Sequence, residues 1–327
     1  MSEAYLDDAG NLHLPERVIP LPAMISDEAR AALRNPGFVS PPWPDTDDTA
    51  VWKAFIAERE ALMMRRFARM PAFPGRVETH ALAHAALYEL VPEQIPERNR
   101  DRALLFVHGG AYIMGGGIAA VRMTEFLARA AQCRVYSVDY RMPPDYPYPH
   151  GLDDTVEAWR FVLSRHAAEK SAMAGVSAGG GLAASAVLRI RDLGLPLPAA
   201  ALLLTPECDL TESGDSFETN REIDVVLKRR LTAANLLYAG GHDLRDPYLS
   251  AIFGDFGKGY CPTFLMTGTR DLFLSNTVLM HRALRRACIA AELHVFEAMP
   301  HGGFFGTPED REAMAEQVAF LDRTLAV

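Results

Sequence analysis

Ser171-Ala172-Met173-Ala174-Gly175-Val176-Ser177-Ala178-Gly179-Gly180-Gly181-Leu182 reads as a short strand, a tight turn and the start of a helix. Its centre, Gly175 to Gly179, is a G-x-S-x-G. In a chain of this composition such a pattern arises by chance roughly 0.06 times, so the context has to carry the reading. Here the context agrees: a strand precedes the motif and a helical run, 182–191, follows it. A Ser on so sharp a turn projects its hydroxyl beyond the strand end. Side chains two residues either side would collide with the adjoining strand and helix, so both positions are glycine. The alternative is a Ser that only caps a helix after a glycine turn.

Upstream, Ala103-Leu104-Leu105-Phe106-Val107 is an uninterrupted apolar run, the pattern of a strand buried on both faces. Two strands are expected within 76–91, the second over 86–91, and others at 134–138, 171–176, 199–205, 262–267 and 292–296. Helices are expected at 119–131, 151–167, 178–193, 276–288 and 309–325. Strands alternating with helices specify an α/β fold, a mostly parallel sheet with helices on both faces. Two stretches stand outside the alternation. One is a helical pattern over 47–70 with Val51, Trp52, Phe55, Ile56, Leu62, Met63 and Phe67 on a broad face. The other is the irregular, acidic and Gly-rich 206–260. Both are candidates for a helical cap over the carboxyl edge of the sheet, where open α/β sheets bind ligands. The organisation expected is an N-terminal cap segment (1–75), a first core part (76–205), a second cap segment (206–260) and a second core part (261–327).

The chain has 327 residues, 23% of them charged, and a net charge of −9. Such a balance disfavours nucleic acid, whose phosphates call for a basic face. No run of about 18 apolar residues offers a membrane span. The opening MSEAYLDDAG lacks the apolar stretch of a signal peptide. Cys133, Cys208, Cys261 and Cys288 form no CxxC pair, so neither a zinc knuckle nor a disulfide framework is indicated. The expectation is a cytoplasmic protein with free thiols.

A Ser hydroxyl needs a base oriented by a third group before it becomes a useful nucleophile. Of the ten histidines, His301 follows the last expected strand, in Met299-Pro300-His301-Gly302-Gly303, at the edge where Ser177 also emerges. Asp271 follows strand 262–267 on that same edge. Asp246 and Asp255 are alternatives without a convincing strand before them. The order Ser177, Asp271, His301 is that of the α/β-hydrolase fold. His80 and His84 are four apart, but on a hairpin and without the following Glu of a metalloprotease helix, so no metal site is expected. His108-Gly109-Gly110-Ala111, directly after strand 103–107, offers backbone N–H groups for an oxyanion, together with Ala178 at the helix start. Tyr112, Met114, Phe304 and Trp43 are candidates for an apolar substrate pocket.

These motifs together resemble the bacterial hormone-sensitive lipase family of esterases within the α/β-hydrolase superfamily. Its H-G-G-G motif corresponds to His108–Ala111, its G-[DT]-S-A-G to Gly175–Gly179. Its D-Y-R…P…P-x-P…D stretch corresponds to Asp139-Tyr140-Arg141, Pro143, Pro147, Pro149 and Asp153. The resemblance covers roughly 76–327 and implies a Ser177–Asp271–His301 triad with Gly110, Ala111 and Ala178 as oxyanion donors. Two departures are Ala111 for the third motif Gly, and Ser275 where an acid four residues after the catalytic Asp is common. Asp209–Ser216 is similar to members that hydrolyse lactones as well as esters.

A rival reading is a dinucleotide fingerprint at Gly115-Gly116-Gly117-Ile118-Ala119-Ala120, with Asp139 ending the next strand. His108 to Met114 separate it from its strand, and Gly179–Ala184 matches equally well. The function expected is a serine carboxylesterase acting on short- to medium-chain esters, with no cofactor. A lactone hydrolase using the same triad is the alternative, and a non-catalytic ligand-binding hydrolase fold a more remote one. The partner expected is a small-molecule ester or lactone, with a homodimer left open.

Overall fold

A computed structural model describes residues 4–35 and 42–325. A small hairpin comes first, β1 (Tyr5–Leu6) and β2 (Leu12–His13), then helices α1 (Asp27–Arg34) and α2 (Thr49–Phe67). The main succession follows: β3 (Gly75–Ala81), β4 (Ala86–Pro92), β5 (Ala103–Val107), α3 (Ile118–Ala131), β6 (Arg134–Asp139), α4 (His150–Leu163), β7 (Ser171–Val176), α5 (Ala178–Asp192) and β8 (Ala200–Leu204). The short α6 (Ser216–Thr219) and α7 (Thr232–Ala239) interrupt it before β9 (Thr263–Gly268), α8 (Leu274–Arg286), β10 (Ala291–Phe296) and α9 (Pro308–Thr324).

The sheet has eight strands in the order β10-β9-β8-β7-β5-β6-β4-β3. Pairing is parallel from β10 to β6, and β4 is the one strand of this sheet that runs the other way, pairing antiparallel with both β6 and β3. The apolar run at β5 shows why this sheet is double-faced. Leu105 and Val107 pack with Trp159 of α4 and Leu182 of α5, while Leu104 and Phe106 pack with Leu127 of α3 and Phe320 of α9. A two-residue period thus sends alternate side chains into two cores. Burying each Leu or Val contributes on the order of 1.5–3 kcal/mol.

Within 1–75, α1 and α2 join different apolar clusters. Helix α1, absent from the sequence expectation, is capped by Ser26, which also donates to Glu309 at the start of α9 from its N–H (2.6 Å) and its hydroxyl (2.8 Å). Ala29 and Leu33 pack with the α3–α9 core. Residues 1–3 and 36–41 of that segment lie outside the described residues. Helix α2 starts at its Asp48 cap, and only part of the expected apolar face is used. Trp52 is buried and Phe55, Ile56 and Met63 are partly so, whereas Val51 and Leu62 are exposed.

A third apolar cluster joins α2 to the carboxyl edge. It gathers Trp52 with Ala111, Ile113 and Met114 from the loop after β5, and with Leu272 and Phe273 from the loop after β9. The same cluster takes Phe217, Val226, Leu227 and Leu231 from the 206–260 region. That region carries a helix the sequence reading passed over, α7, which ends on Gly240 in the left-handed conformation (φ 58°). A glycine closing an apolar run was the available signal.

Candidate active site

Ser177 joins β7 to α5 with φ 58° and ψ −128°, a conformation that persists only where surroundings impose it. A Cβ on Gly175 would lie 2.2 Å from the Gly179 carbonyl oxygen, and one on Gly179 would lie 2.2 Å from that of Val107. Both glycines of the motif are therefore obligatory for the turn.

His301 stands in the loop after β10. Its Nε2 is 2.8 Å from Ser177 Oγ, and its Nδ1 is 2.9 Å from Asp271 Oδ1. A carboxylate on Nδ1 holds the proton there and leaves Nε2 free to accept from the Ser hydroxyl. Asp271, just beyond β9, is wholly buried and accepts from the Thr267 hydroxyl (2.7 Å) and the Phe273 N–H (2.9 Å). The Phe273 ring meets the His301 imidazole edge-on, 4.7 Å between centroids. The three residues reach one another because β7, β9 and β10 are parallel and all end at the same edge. The alternatives to Asp271 lie elsewhere. Asp246 accepts from Tyr248 N–H and Tyr148 hydroxyl, and Asp255 accepts from Gly257 N–H.

His108 is buried, stacked on Tyr140 at 4.2 Å between centroids, with its Nδ1 2.9 Å from the Gly109 carbonyl. Burial pushes its imidazole below the usual range, so it stays neutral and braces the loop. Gly109 lies against the elbow, its position for a Cβ 3.2 Å from that of Ser177. Gly110 (φ 129°), Ala111 (φ 53°) and Tyr112 (φ 62°) then follow one another at positive φ.

Of the four pocket candidates, two are repositioned by the structure. Tyr112 is buried in the core, stacked on Tyr238 at 4.1 Å, its hydroxyl donating to the Glu207 carbonyl. Phe304 packs in the α3–α9 core, not in the cluster with Ala111. Met114 and Trp43 do join that cluster, and Trp43 Nε1 donates to the Arg230 carbonyl (3.1 Å).

Sequence reasoning missed two residues beside this site. Asn220 Nδ2 donates to the Asp271 carbonyl (2.8 Å) and the Thr269 carbonyl (3.2 Å). The buried Asp224 carboxylate accepts from Leu272 N–H at 2.8 Å and lies within 3.4 Å of His301 N. Burial, and then the neighbouring Asp271, push Asp224 up to about 6. Nothing in the run Asn220-Arg221-Glu222-Ile223-Asp224 distinguishes one acid from the other.

Among the described residues, Glu78, His80 and Glu89 have ligand atoms within 4.8 Å of one another. They sit on β3 and β4 at the far edge of the sheet. Arg76 pairs with Glu78, and Arg134 and Arg165 with Glu89, so the cluster is already balanced by cations. The rival dinucleotide reading also loses its acid, because the Asp139 carboxylate accepts from Gly117 N–H (3.0 Å) and Tyr88 hydroxyl (2.9 Å). The reversed β4, antiparallel to both of its neighbours, is a further departure from that fold. No helix among the described residues is long and apolar enough to cross a membrane.

The family model described as alpha/beta hydrolase fold matches residues 104–305. An acetyl-hydrolase of Streptomyces hygroscopicus is 34% identical over 238 residues, covering 69% of this chain and 77% of that protein. An acetyl esterase of Salmonella agona is 27% identical over 284 residues, covering 83% and 85%. The crystal structure of an esterase, E25, superposes with a TM-score of 0.87 at 33% identity, covering 95% of this chain and 98% of that one. An esterase from the bacterial hormone-sensitive lipase family superposes with a TM-score of 0.81 at 28% identity, covering 92% and 99%. The sheet order, the glycine-flanked turn and these likenesses agree, and the chain belongs to the α/β-hydrolase fold family, with the esterases of its bacterial hormone-sensitive lipase branch.

Proposed function

We propose that this chain, a carboxylic ester hydrolase by family, is a serine carboxylesterase that uses Ser177, His301 and Asp271 as its triad. The observation that carries the reading is the continuous hydrogen-bonded line from Ser177 Oγ through His301 to Asp271, at 2.8 and 2.9 Å. As the Ser177 oxygen attacks the acyl carbon, its proton passes to His301 Nε2. Asp271 stabilises the imidazolium that forms and keeps the ring oriented. The carbonyl oxygen becomes an oxyanion, which the N–H groups of Gly110, Ala111 and Ala178 hold, with Gly109 setting the approach of their loop. His301 then protonates the departing alcohol. Water, deprotonated by His301, releases the acid from the acyl-enzyme.

The acyl group is assigned to the apolar cluster around Ala111, Met114 and Trp52, with Trp43 at its border. This assigns a cap role to α2 and to the 206–260 segment, while α1 serves the core. Short- to medium-chain esters fit such a lining. The Asp209–Ser216 segment has a structural explanation, since Asp209 accepts from Thr211 and Ser213 and so closes its own turn. Lactones therefore enter as one arm of the test.

That test is a panel of p-nitrophenyl esters from acetate to decanoate, with lactones alongside. Turnover highest at short to medium length is expected, unchanged by EDTA because no step uses a metal. Absence of ester turnover, or turnover lost to EDTA and restored by a divalent ion, would overturn the reading. Trp52→Ala should separate cap from core. It removes a buried indole that donates to the Thr46 carbonyl at 2.8 Å, which costs about 3–5 kcal/mol locally. Activity on butyrate should fall severalfold relative to acetate. An unchanged chain-length profile in a folded variant would show that α2 does not face the acyl group.

A further inference from the structure

Asp224 belongs to the 206–260 segment, more than 40 residues from Ser177, Asp271 and His301 in sequence. Its side chain is nevertheless wholly buried among three loops. Oδ1 accepts from Val226 N–H (2.8 Å) and Leu227 N–H (3.1 Å), which fixes the carboxylate to its own segment. Oδ2 accepts from Leu272 N–H (2.8 Å), the residue after Asp271. The His301 N–H is shared between the two oxygens, at 3.4 and 3.3 Å. One carboxylate thus connects the acid loop and the base loop through their main chains. Asn220 supports the same junction from one turn earlier by donating to the Asp271 and Thr269 carbonyls.

The titratable groups facing Asp224 are Asp271, from the loop after β9, and His301, from the loop after β10. Burial and the like charge of Asp271 both disfavour its ionised form. A charge held against those two effects is a poor stabiliser for its number of hydrogen bonds. It does set register: the main chain of His301 cannot slide away from Ser177 without losing the shared acceptor.

We propose that Asp224 is a positioning residue, which acts through the main chains of Leu272 and His301 to hold the His301 ring in line between Asp271 and Ser177 Oγ. The proposal rests on the triad reading above. Asp224 touches no reacting atom. What it contributes is alignment of the general base, a property to which proton transfer is sensitive because effective base catalysis needs hydrogen-bond geometry at the reacting proton.

The test uses the full chain, with Asp224→Asn and Asp224→Ala beside the wild type. Competent sites are counted by stoichiometric labelling with a fluorophosphonate, and kcat and KM are measured on p-nitrophenyl butyrate. Thermal unfolding is followed by circular dichroism. Dividing kcat by labelled sites removes the effect of misfolded molecules, which is all that a merely structural role would change. The expected result is a fall in kcat per labelled site of about tenfold or more, part of the ~10²–10⁴-fold that an aligned base supplies. KM should move little, and the asparagine variant, which keeps one acceptor oxygen, should lose less than the alanine variant. A smaller fall in kcat per labelled site overturns the proposal, whatever happens to the melting temperature. Should the alanine variant fail to fold, the near-isosteric asparagine variant decides alone by the same threshold. Failure of the wild type to label at Ser177 would instead overturn the triad reading itself.

Discussion

Ser177→Ala is expected to lower ester turnover by at least about 10⁴-fold while leaving the fold intact. The loss follows from the chemistry. Without Oγ there is no acyl-enzyme, and what remains is the oxyanion loop and binding, which in serine hydrolases leave a small residue of catalysis over water. Stability should change little, within about 1 kcal/mol, because the substitution removes one partly exposed atom and keeps the same Cβ on the same strained backbone. The Ser177 hydroxyl makes its hydrogen bond to His301 rather than to a structural partner, so its removal leaves no buried main-chain group unpaired. A fluorophosphonate should label the wild type once, at Ser177, as read by peptide mass spectrometry, and should not label the variant. Undiminished turnover in the variant, or labelling at a different Ser, would remove Ser177 from the mechanism.

Much of this site was legible in the sequence because its parts sit at strand ends, and strand ends are written in composition. The apolar runs at β5, β7 and β9 are buried on both faces, so they read as uninterrupted hydrophobic stretches. A polar or glycine-rich residue just after such a run falls on the carboxyl edge, which locates Ser177, Asp271 and the Gly109–Ala111 loop without any knowledge of distance. His301 came by the same rule, although β10 is only partly buried and alternates less cleanly. The 206–260 region behaves differently. Its side chains are placed by what they meet across space, and Asp224 is equivalent in sequence to its exposed neighbour Glu222. Only the approach of Leu272 N–H and His301 N–H separates the two. The surroundings of Tyr112 were hidden for a related reason. Following a glycine loop, it was expected to face the acyl group, but consecutive positive φ angles at Ala111 and Tyr112 turn its ring inward onto Tyr238. Helix α1 is short, and its tie to the core lies in Ser26 meeting Glu309, a contact spanning most of the chain.

Asp271→Asn should lower kcat by about 10²–10⁴-fold with no loss of thermal stability. The side chain keeps its shape. Its carbonyl oxygen can still accept from Phe273 N–H and His301 Nδ1–H, and the Thr267 hydroxyl can turn from donating to Oδ2 to accepting from the new amide. The orientation of His301 is then largely preserved, and what disappears is negative charge. That charge matters when the proton leaves Ser177, because the imidazolium that forms lies in a buried site where an ion pair at 2.9 Å is worth several kcal/mol. Stability follows a different sign. Burial, and then the neighbouring Asp271, disfavour the ionised form of Asp224 and push its pKa up to about 6 against an ordinary 3.8. A carboxyl whose folded value exceeds its unfolded value loses stability as pH rises between the two, and the full cost is present above about pH 6. Neutralising Asp271 reduces that cost, so at pH 8 the variant's melting temperature should equal or exceed that of the wild type. Asp246→Asn and Asp255→Asn serve as controls. Each changes a carboxylate that closes a local turn, and each should retain near wild-type kcat. If either control is the crippling substitution while Asp271→Asn turns over normally, the acid partner of His301 has been misassigned. If Asp271→Asn loses activity only in step with its folded fraction, Asp271 is a structural carboxylate and the charge argument fails.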